Sequence, residues 1–350
     1  MARLKYLLLF LIFPLFLNGQ ASGTPSLLQE SKFFYLLDDV NAAGTVTTSF
    51  AFSTRKLRSA YAGKALNIRK SNDGSQVDVD FDYRNIVSGN SIVTYTVAGS
   101  SGKAIGDTDV LRNYLVGATS VSIATWYDQS INAFHGVQST LSNQPIFVLN
   151  GAGKNNEYAA IQFKGDLRQH VVVNQNLSIL LTSSLQGTVG LIAYPTAVSS
   201  GTTNNSFGFF NGTDYNQRWS CHLNWSDGNC YTDFGSANET LGRSFGNSGN
   251  LNLYKQYTMS RTATTKTVKI SGSTIINTTQ SINSAAGLTG ASTFGIGLST
   301  GNLFAQNGFF GKIPEFILFK TGLTSVQIAA LEKRSEEHTS ELQSHSGISY

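Results

Sequence analysis

Apolar and polar residues alternate over Leu66-Asn67-Ile68-Arg69 and again over Val77-Asp78-Val79-Asp80-Phe81, with Asn72-Asp73-Gly74 between them. A period of two puts one face of each segment on a core and the other in water, and Asn-Asp-Gly is turn chemistry, so the pair reads as a β-hairpin. A buried strand follows over Val121 to Tyr127. Beyond Tyr158, short apolar segments recur between Gly, Asn and Ser clusters: Ala159 to Phe163, Thr188 to Tyr194, Phe207 to Phe210, Arg218 to Leu223, Cys230 to Phe234, Asn252 to Ser260, Thr267 to Ile270, Thr274 to Ile276 and Ile313 to Phe319. Such a series predicts two packed antiparallel sheets. Helix signals are short. Ser53 to Tyr61 places good helix formers between polar ends; Asp107 or Thr108 caps a segment carrying Val110, Leu111, Tyr114 and Leu115; and Thr324-Ser325-Val326-Gln327 spells a capping box ahead of Ile328 and Leu331.

The two ends of the chain read differently from this body. Arg3 and Lys5 precede an apolar run from Tyr6 to Leu17, broken only by Pro14 and followed by small residues at Gly19 and Ala21. That run is shorter than the ~20 apolar residues needed to span a bilayer, so residues 1–21 are expected to be a signal peptide and the protein secreted, not membrane-spanning. From Arg334 the sequence resembles the translation of a sequencing-library adapter, and residues 334–350 are expected to be a non-native tail. One domain is expected over residues 31–333. Charged residues make up only 13% of the chain, and the net charge of +4 forms no basic stripe, which argues against nucleic acid as a partner. Cys221 and Cys230 are expected to close a short hairpin as a disulfide in an oxidising compartment. Asn176, Asn204, Asn211, Asn224, Asn238 and Asn277 each begin an N-x-Ser/Thr sequon and, in a eukaryotic host, are candidate glycosylation sites.

The run Ser53-Thr54-Arg55-Lys56-Leu57-Arg58-Ser59-Ala60-Tyr61-Ala62-Gly63, the hairpin with Arg69, Ser71, Asp73 and Gly74, and Trp126-Tyr127-Asp128-Gln129-Ser130 with His135 together resemble the catalytic domain of α-L-arabinofuranosidase B enzymes. Trp225-Ser226-Asp227-Gly228, Phe294-Gly295-Ile296-Gly297 and Phe310 to Phe316 are similar to concanavalin A-like or laminin-G-like modules. The resemblance implies an all-β, concanavalin A-like two-sheet antiparallel β-sandwich, or jelly roll, with a few short helices. It also implies a retaining glycosidase site with a Glu nucleophile on a central strand and an Asp acid/base after a Gly-Ile-Gly-Gly run. Here Gly295-Ile296-Gly297-Leu298 is followed by Ser299, and Gln217 to Leu223 contains no carboxylate. The family's adjacent cysteine pair is absent as well.

A retaining mechanism needs two carboxyl groups about 5–5.5 Å apart, and losing proton transfer to the leaving group costs about 10²–10⁴-fold in rate. Asp227 and Asp233 are the carboxylates close enough in sequence to substitute, although Asp227 equally reads as a turn residue. Sugar binding asks for an aromatic face flanked by amides and carboxylates. Trp219, Asn224, Trp225 and Asp227 supply these in one segment, although a strand Trp equally belongs to a core. Trp126, Tyr127 and Asp128 read as buried rings with a turn-bonding Asp. The histidines have no zinc spacing. No cofactor is called for, and a structural calcium ion is compatible with such a sandwich. The chain therefore reads as a secreted glycan-binding or extracellular interaction protein and a non-catalytic relative of the arabinofuranosidases, with glycan or polysaccharide as partner. Two alternatives stand beside this: an active α-L-arabinofuranosidase, and a structural extracellular protein.

Overall fold

The alternating hairpin forms as its pattern requires, Leu66 facing Val79 and Ile68 facing Val77 with all four side chains buried. Asp73 Oδ1 accepts from the Ser75 amide at 2.8 Å, and Gly74 adopts a φ of 71° to complete the turn. The computed structural model describes residues 35–152, 158–182, 186–196, 204–210, 217–236, 243–247, 251–279, 293–301 and 308–333. These belong to one compact unit beginning at Tyr35. The expected signal peptide, the tail, Asn211 and Asn238 lie outside the described residues.

The first half of the chain forms α1 (Leu36–Ala42), β1 (Thr48–Ser53), β2 (Leu66–Lys70), β3 (Gln76–Val79), β4 (Ile92–Val97), β5 (Thr108–Val110), α2 (Leu111–Tyr114), β6 (Val121–Trp126), β7 (Gly136–Val137), β8 (Ile146–Ala152), β9 (Tyr158–Phe163) and β10 (Val171–Val173). The second half adds α3 (Leu177–Leu180), β11 (Gly187–Pro195), β12 (Asn205–Phe210), β13 (Gln217–His222), β14 (Asn229–Ser236) and β15 (Arg243–Asn247). It continues with β16 (Lys255–Arg261), β17 (Thr265–Ile270), β18 (Ser273–Thr279), β19 (Phe294–Ile296), β20 (Gly311–Phe319) and α4 (325–333).

Antiparallel pairing assembles two layers. The first runs β5-β4-β3-β2-β6-β7-β10-β19-β12-β13-β14-β15. In the second, β1 and β9 lie end to end along one side of β20, and β11, β16, β17 and β18 continue from its other side. β8 pairs with β9 and reaches β6 through Ser122 and Ile146, joining the layers at one edge. The result is an all-β sandwich with a few short helices. Aromatic rings hold its layers together: Phe52 on Trp126 at 5.3 Å, Phe50 on Phe294 at 5.5 Å and Phe316 on Phe207 at 5.0 Å, all fully buried. The outer face of the second layer is covered as well. Leu36, Leu37 and Val40 of α1 and Ile328 and Leu331 of α4 pack with Ala51, Ile317 and Phe319. The capping box ahead of α4 is realised, with Gln327 N donating to Thr324 Oγ1 and Thr324 N to Gln327 Oε1.

Two helix expectations are corrected. Ser53 to Tyr61 is not helical, because its backbone groups are claimed by residues distant in the chain. Gln129 Nε2 donates to the carbonyls of Ser53 and Arg55, its Oε1 accepts from Leu57 N at 2.7 Å, and Lys56 N bonds the Asn85 carbonyl. Thr108 lies in β5 rather than capping α2, whose first turn has no side-chain cap.

Arg55 makes a bidentate, buried pair with Glu315 of β20, Nε to Oε2 at 2.6 Å and Nη2 to Oε1 at 3.0 Å. Removing one partner of such a pair strands the other charge and costs about 3–5 kcal/mol, whereas replacing both with apolar groups of similar size is often neutral or better. Chemical denaturation is therefore expected to find Glu315→Ala destabilised by about 3–5 kcal/mol, with most of that recovered in Arg55→Met/Glu315→Leu.

Candidate functional site

β13 and β14 divide their side chains between the two faces of the sheet by strict alternation. Trp219 faces Phe234 and Cys221 faces Thr232 on the inner side, while Ser220 pairs with Asp233 and His222 with Tyr231 on the outer side. Trp219 is fully buried, stacked on Phe234 at 3.8 Å and tilted against Phe294 at 6.4 Å. It is a core ring and not a ligand platform, so that expectation is corrected. Asn224 is also buried.

Trp225 remains half-buried in the turn between the two strands, edge-on to His222 at 4.5 Å and to Tyr231 at 5.2 Å, with the Arg243 guanidinium 5.8 Å from its ring centre. Asp227 builds that turn. Its Oδ1 accepts from Asn229 N at 2.9 Å, and its Oδ2 from Asn229 Nδ2 and from the Tyr231 hydroxyl at 2.6 Å. Burial pushes the Asp227 carboxyl up, but the Tyr231 and Asn229 donors outweigh it and hold the group below its ordinary value.

Asp233 is fully buried between two guanidinium groups. Arg218 Nε lies 2.8 Å from Oδ2, and Arg243 reaches Oδ1 with Nε at 2.7 Å and Oδ2 with Nη2 at 2.8 Å. Burial raises this carboxyl, and the Arg243 hydrogen bonds with both positive charges more than reverse the effect. Asp233 is thus ionised with both oxygens occupied. This Arg218-Asp233-Arg243 cluster was not anticipated from the sequence. Its signal was available only once the register was known, since the three residues come from three strands and meet on one face.

Ser299 follows β19. Its Oγ lies 2.6 Å from Asn205 Oδ1 and 2.7 Å from the Phe207 carbonyl, and Asn205 stands opposite His222. Ser299, Asn205 and His222 thus lie side by side, while Asp233 stands opposite Ser220, two residues back along β13. Among the described residues, no group of three or more His, Cys, Asp or Glu side chains converges as a metal site.

Cys221 and Cys230 are buried, free thiols hydrogen-bonded to each other. The expected disulfide is absent for a reason of register. Cys221 stands opposite Thr232, so Cys230 is its diagonal neighbour, and diagonal Cα separations of about 7–8 Å exceed the roughly 4.4–6.8 Å of a disulfide. Among the sequons, Asn176 is exposed, whereas Asn204 and Asn224 are buried and Asn204 Oδ1 accepts from Phe310 N at 2.8 Å. Those two are corrected as glycosylation candidates. Asn277 lies in β18.

No family model matches the chain, and no curated protein does. Solved structures do. A GH54 α-L-arabinofuranosidase soaked with a cyclic sulfate inhibitor superposes with a TM-score of 0.61 at 14% identity, covering 86% of this chain and 64% of that one. An arabinofuranosidase complexed with arabinofuranosyl-α-1,2-xylobiose gives 0.60 at 14% identity, covering 84% and 63%. The chain therefore spans less than two thirds of the length of these structures, and what it shares with them is the fold.

Lys266 gives this region a pH signature. It projects from β17 into the sandwich beneath β14, donates to the Thr232 carbonyl at 3.2 Å and lies 5.9 Å from the Phe234 ring centre. Burial, reinforced by the Arg261 charge, pushes its amine down to about 7. Between that value and the ordinary lysine range the unfolded chain binds the extra proton, so stability rises with pH across the window, by at most about 1.4 kcal/mol per pH unit. Below about pH 7 both states are protonated and the burial cost is constant. Urea denaturation from pH 6 to 10 is expected to show this rise in the wild type, and Lys266→Met is expected to flatten it and to be the more stable protein at pH 7.

Proposed function

We propose that this chain is a secreted glycan-binding or extracellular interaction protein, built on the arabinofuranosidase fold but without its hydrolytic chemistry. The observation that carries this reading is Ser299. It occupies the position after Gly295-Ile296-Gly297-Leu298 where the resemblance calls for a general acid, and its hydroxyl is buried against Asn205 and the Phe207 carbonyl. A hydroxyl of ordinary acidity does not protonate a departing sugar oxygen at neutral pH, and one held in this way does not reach it.

The carboxylates that could rescue catalysis support the same reading. For Asp233 to attack an anomeric carbon, it would have to leave two guanidinium groups in a buried setting, at a cost of several kcal/mol. Asp227 is engaged by three donors and is depressed rather than raised, the opposite of what a general acid requires. Binding needs none of this. Trp225 offers a partly exposed ring beside Tyr231, Arg243 and Asp227, a combination suited to the C–H face and hydroxyls of a sugar.

Incubation with 4-nitrophenyl α-L-arabinofuranoside is expected to release no nitrophenol above the buffer rate. Turnover abolished by Asp233→Asn or Asp227→Asn would replace this reading with the enzyme. On a glycan array the chain is expected to retain arabinose-containing glycans, with Trp225→Ala weakening retention at least about tenfold. No retention at all would leave a structural role.

A further inference from the structure

Two of the sequence runs that carry the family resemblance, Ser53 to Gly63 and Trp126 to His135, meet in space at a second hollow, remote from Trp225. It is a wide-mouthed depression of about 550 Å³, within the size range of small-molecule sites. Its walls come from the irregular stretch after β1, from β3 and from the loop after β6. Asp78 and Tyr127 alternate with the core residues Val77, Val79 and Trp126, so they lie on the outer face of the first layer. From β6 to β13 this face crosses β7, β10, β19 and β12, which sets the two locations ~24 Å apart at about 4.8 Å per strand.

The polar groups of the hollow are fixed before any ligand arrives. The Tyr127 hydroxyl donates to Asp78 Oδ1 at 2.7 Å, and Asn67 Nδ2 holds the same oxygen at 2.9 Å, while Oδ2 takes no hydrogen bond. The Tyr61 hydroxyl donates to the Lys64 carbonyl at 2.7 Å. His135 accepts the Asp128 amide at Nδ1, which puts its proton on Nε2; burial lowers its pKa, keeping the ring neutral, and the ring stands edge-on to Tyr127 at 5.0 Å. Arg58 reaches only the Ser130 carbonyl, at 3.4 Å, and its buried Nε has no partner.

The ligand class follows from this inventory. Donors from Arg58 and His135 interleave with acceptors from Asp78 and the phenols, which suits vicinal hydroxyls that both give and take hydrogen bonds. Phosphate is disfavoured, because Asp78 lines the hollow and Lys64 is committed to Asp80 at 2.8 Å. A flat base is disfavoured as well, because His135 packs edge-on against Tyr127. We propose that this hollow is a second saccharide site, taking a neutral arabinose-bearing sugar, so that one polysaccharide strand engages the outer face at two places. The proposal rests on the glycan-binding reading above.

Calorimetric titration of the full chain with arabinofuranosyl-α-1,2-xylobiose tests it. Two sites per chain are expected. Asp78→Asn keeps the Oδ1 acceptor and removes only the free oxygen, so it is expected to weaken one site about tenfold or more while Trp225→Ala removes the other. Arg58→Ala, which breaks only one long hydrogen bond, is expected to repeat the Asp78→Asn result and serves if that variant does not fold. If both hollow variants bind as wild type while Trp225→Ala abolishes binding, the second site is refuted and the glycan reading stands. If the wild type binds nothing, both are withdrawn.

Discussion

The fold depends on how the free edge of β1 is satisfied. β1 pairs with β20 on one side only, and an unpaired strand edge in a protein interior costs free energy for each orphaned amide and carbonyl. Here side chains take the place of a neighbouring strand. Asp128 Oδ1 accepts from Ala51 N at 2.7 Å, Gln129 spans Ser53, Arg55 and Leu57, and Asn132 Nδ2 donates to the carbonyls of Thr48 and Ser49. Burial holds the Asp128 carboxyl above its ordinary value, although Ser130 Oγ, Ser130 N, Ala51 N and Phe134 N oppose it. The Asp-Gln-Ser turn therefore acts as a strand edge made of side chains, and it fixes both the irregular segment after β1 and the loop bearing His135.

That arrangement also explains what was legible in the sequence. Half-buried strands such as β2, β3 and β17 announce themselves by alternation, whereas buried strands of the second half such as β11 and β20 are marked off only by the Gly, Asn and Ser clusters between segments. β1 did not, because five of its six residues are buried, with Ala51 under α1 and Phe50 and Phe52 under the opposite layer. The helical reading of Ser53 to Tyr61 failed because local propensity is a weak preference beside the buried hydrogen bonds from Gln129 and the Arg55–Glu315 pair.

The candidate site was less legible than the fold, for a physical reason. Trp219 and Trp225 lie close in sequence, yet the first is on the core face of β13, while the second lies past the strand's end in the turn to β14 and stays half-buried. Asp227 and Asp233 likewise share a segment but have opposite environments, one in an exposed turn and the other between two arginines from different strands. Residue type and spacing do not encode which cation will stand across the register. Alternation settles the face of a residue, and only the pairing of β13, β14 and β15 settles its charge partner.

The position of β20 has a consequence for biogenesis. It is the central strand of the second layer, flanked by β1 and β9 on one side and β11 on the other, yet it follows all three in the chain, and its Glu315 closes on Arg55 from 260 residues away. Long-range closure of this kind is slow, and it leaves strand edges uncovered in the meantime. A nascent chain emerging in order holds β1, β9 and β11 without their shared partner until β20 has been made. Closure of this layer therefore waits for β20, and until then the partly made protein depends on whatever shields open β edges in the compartment where it is made.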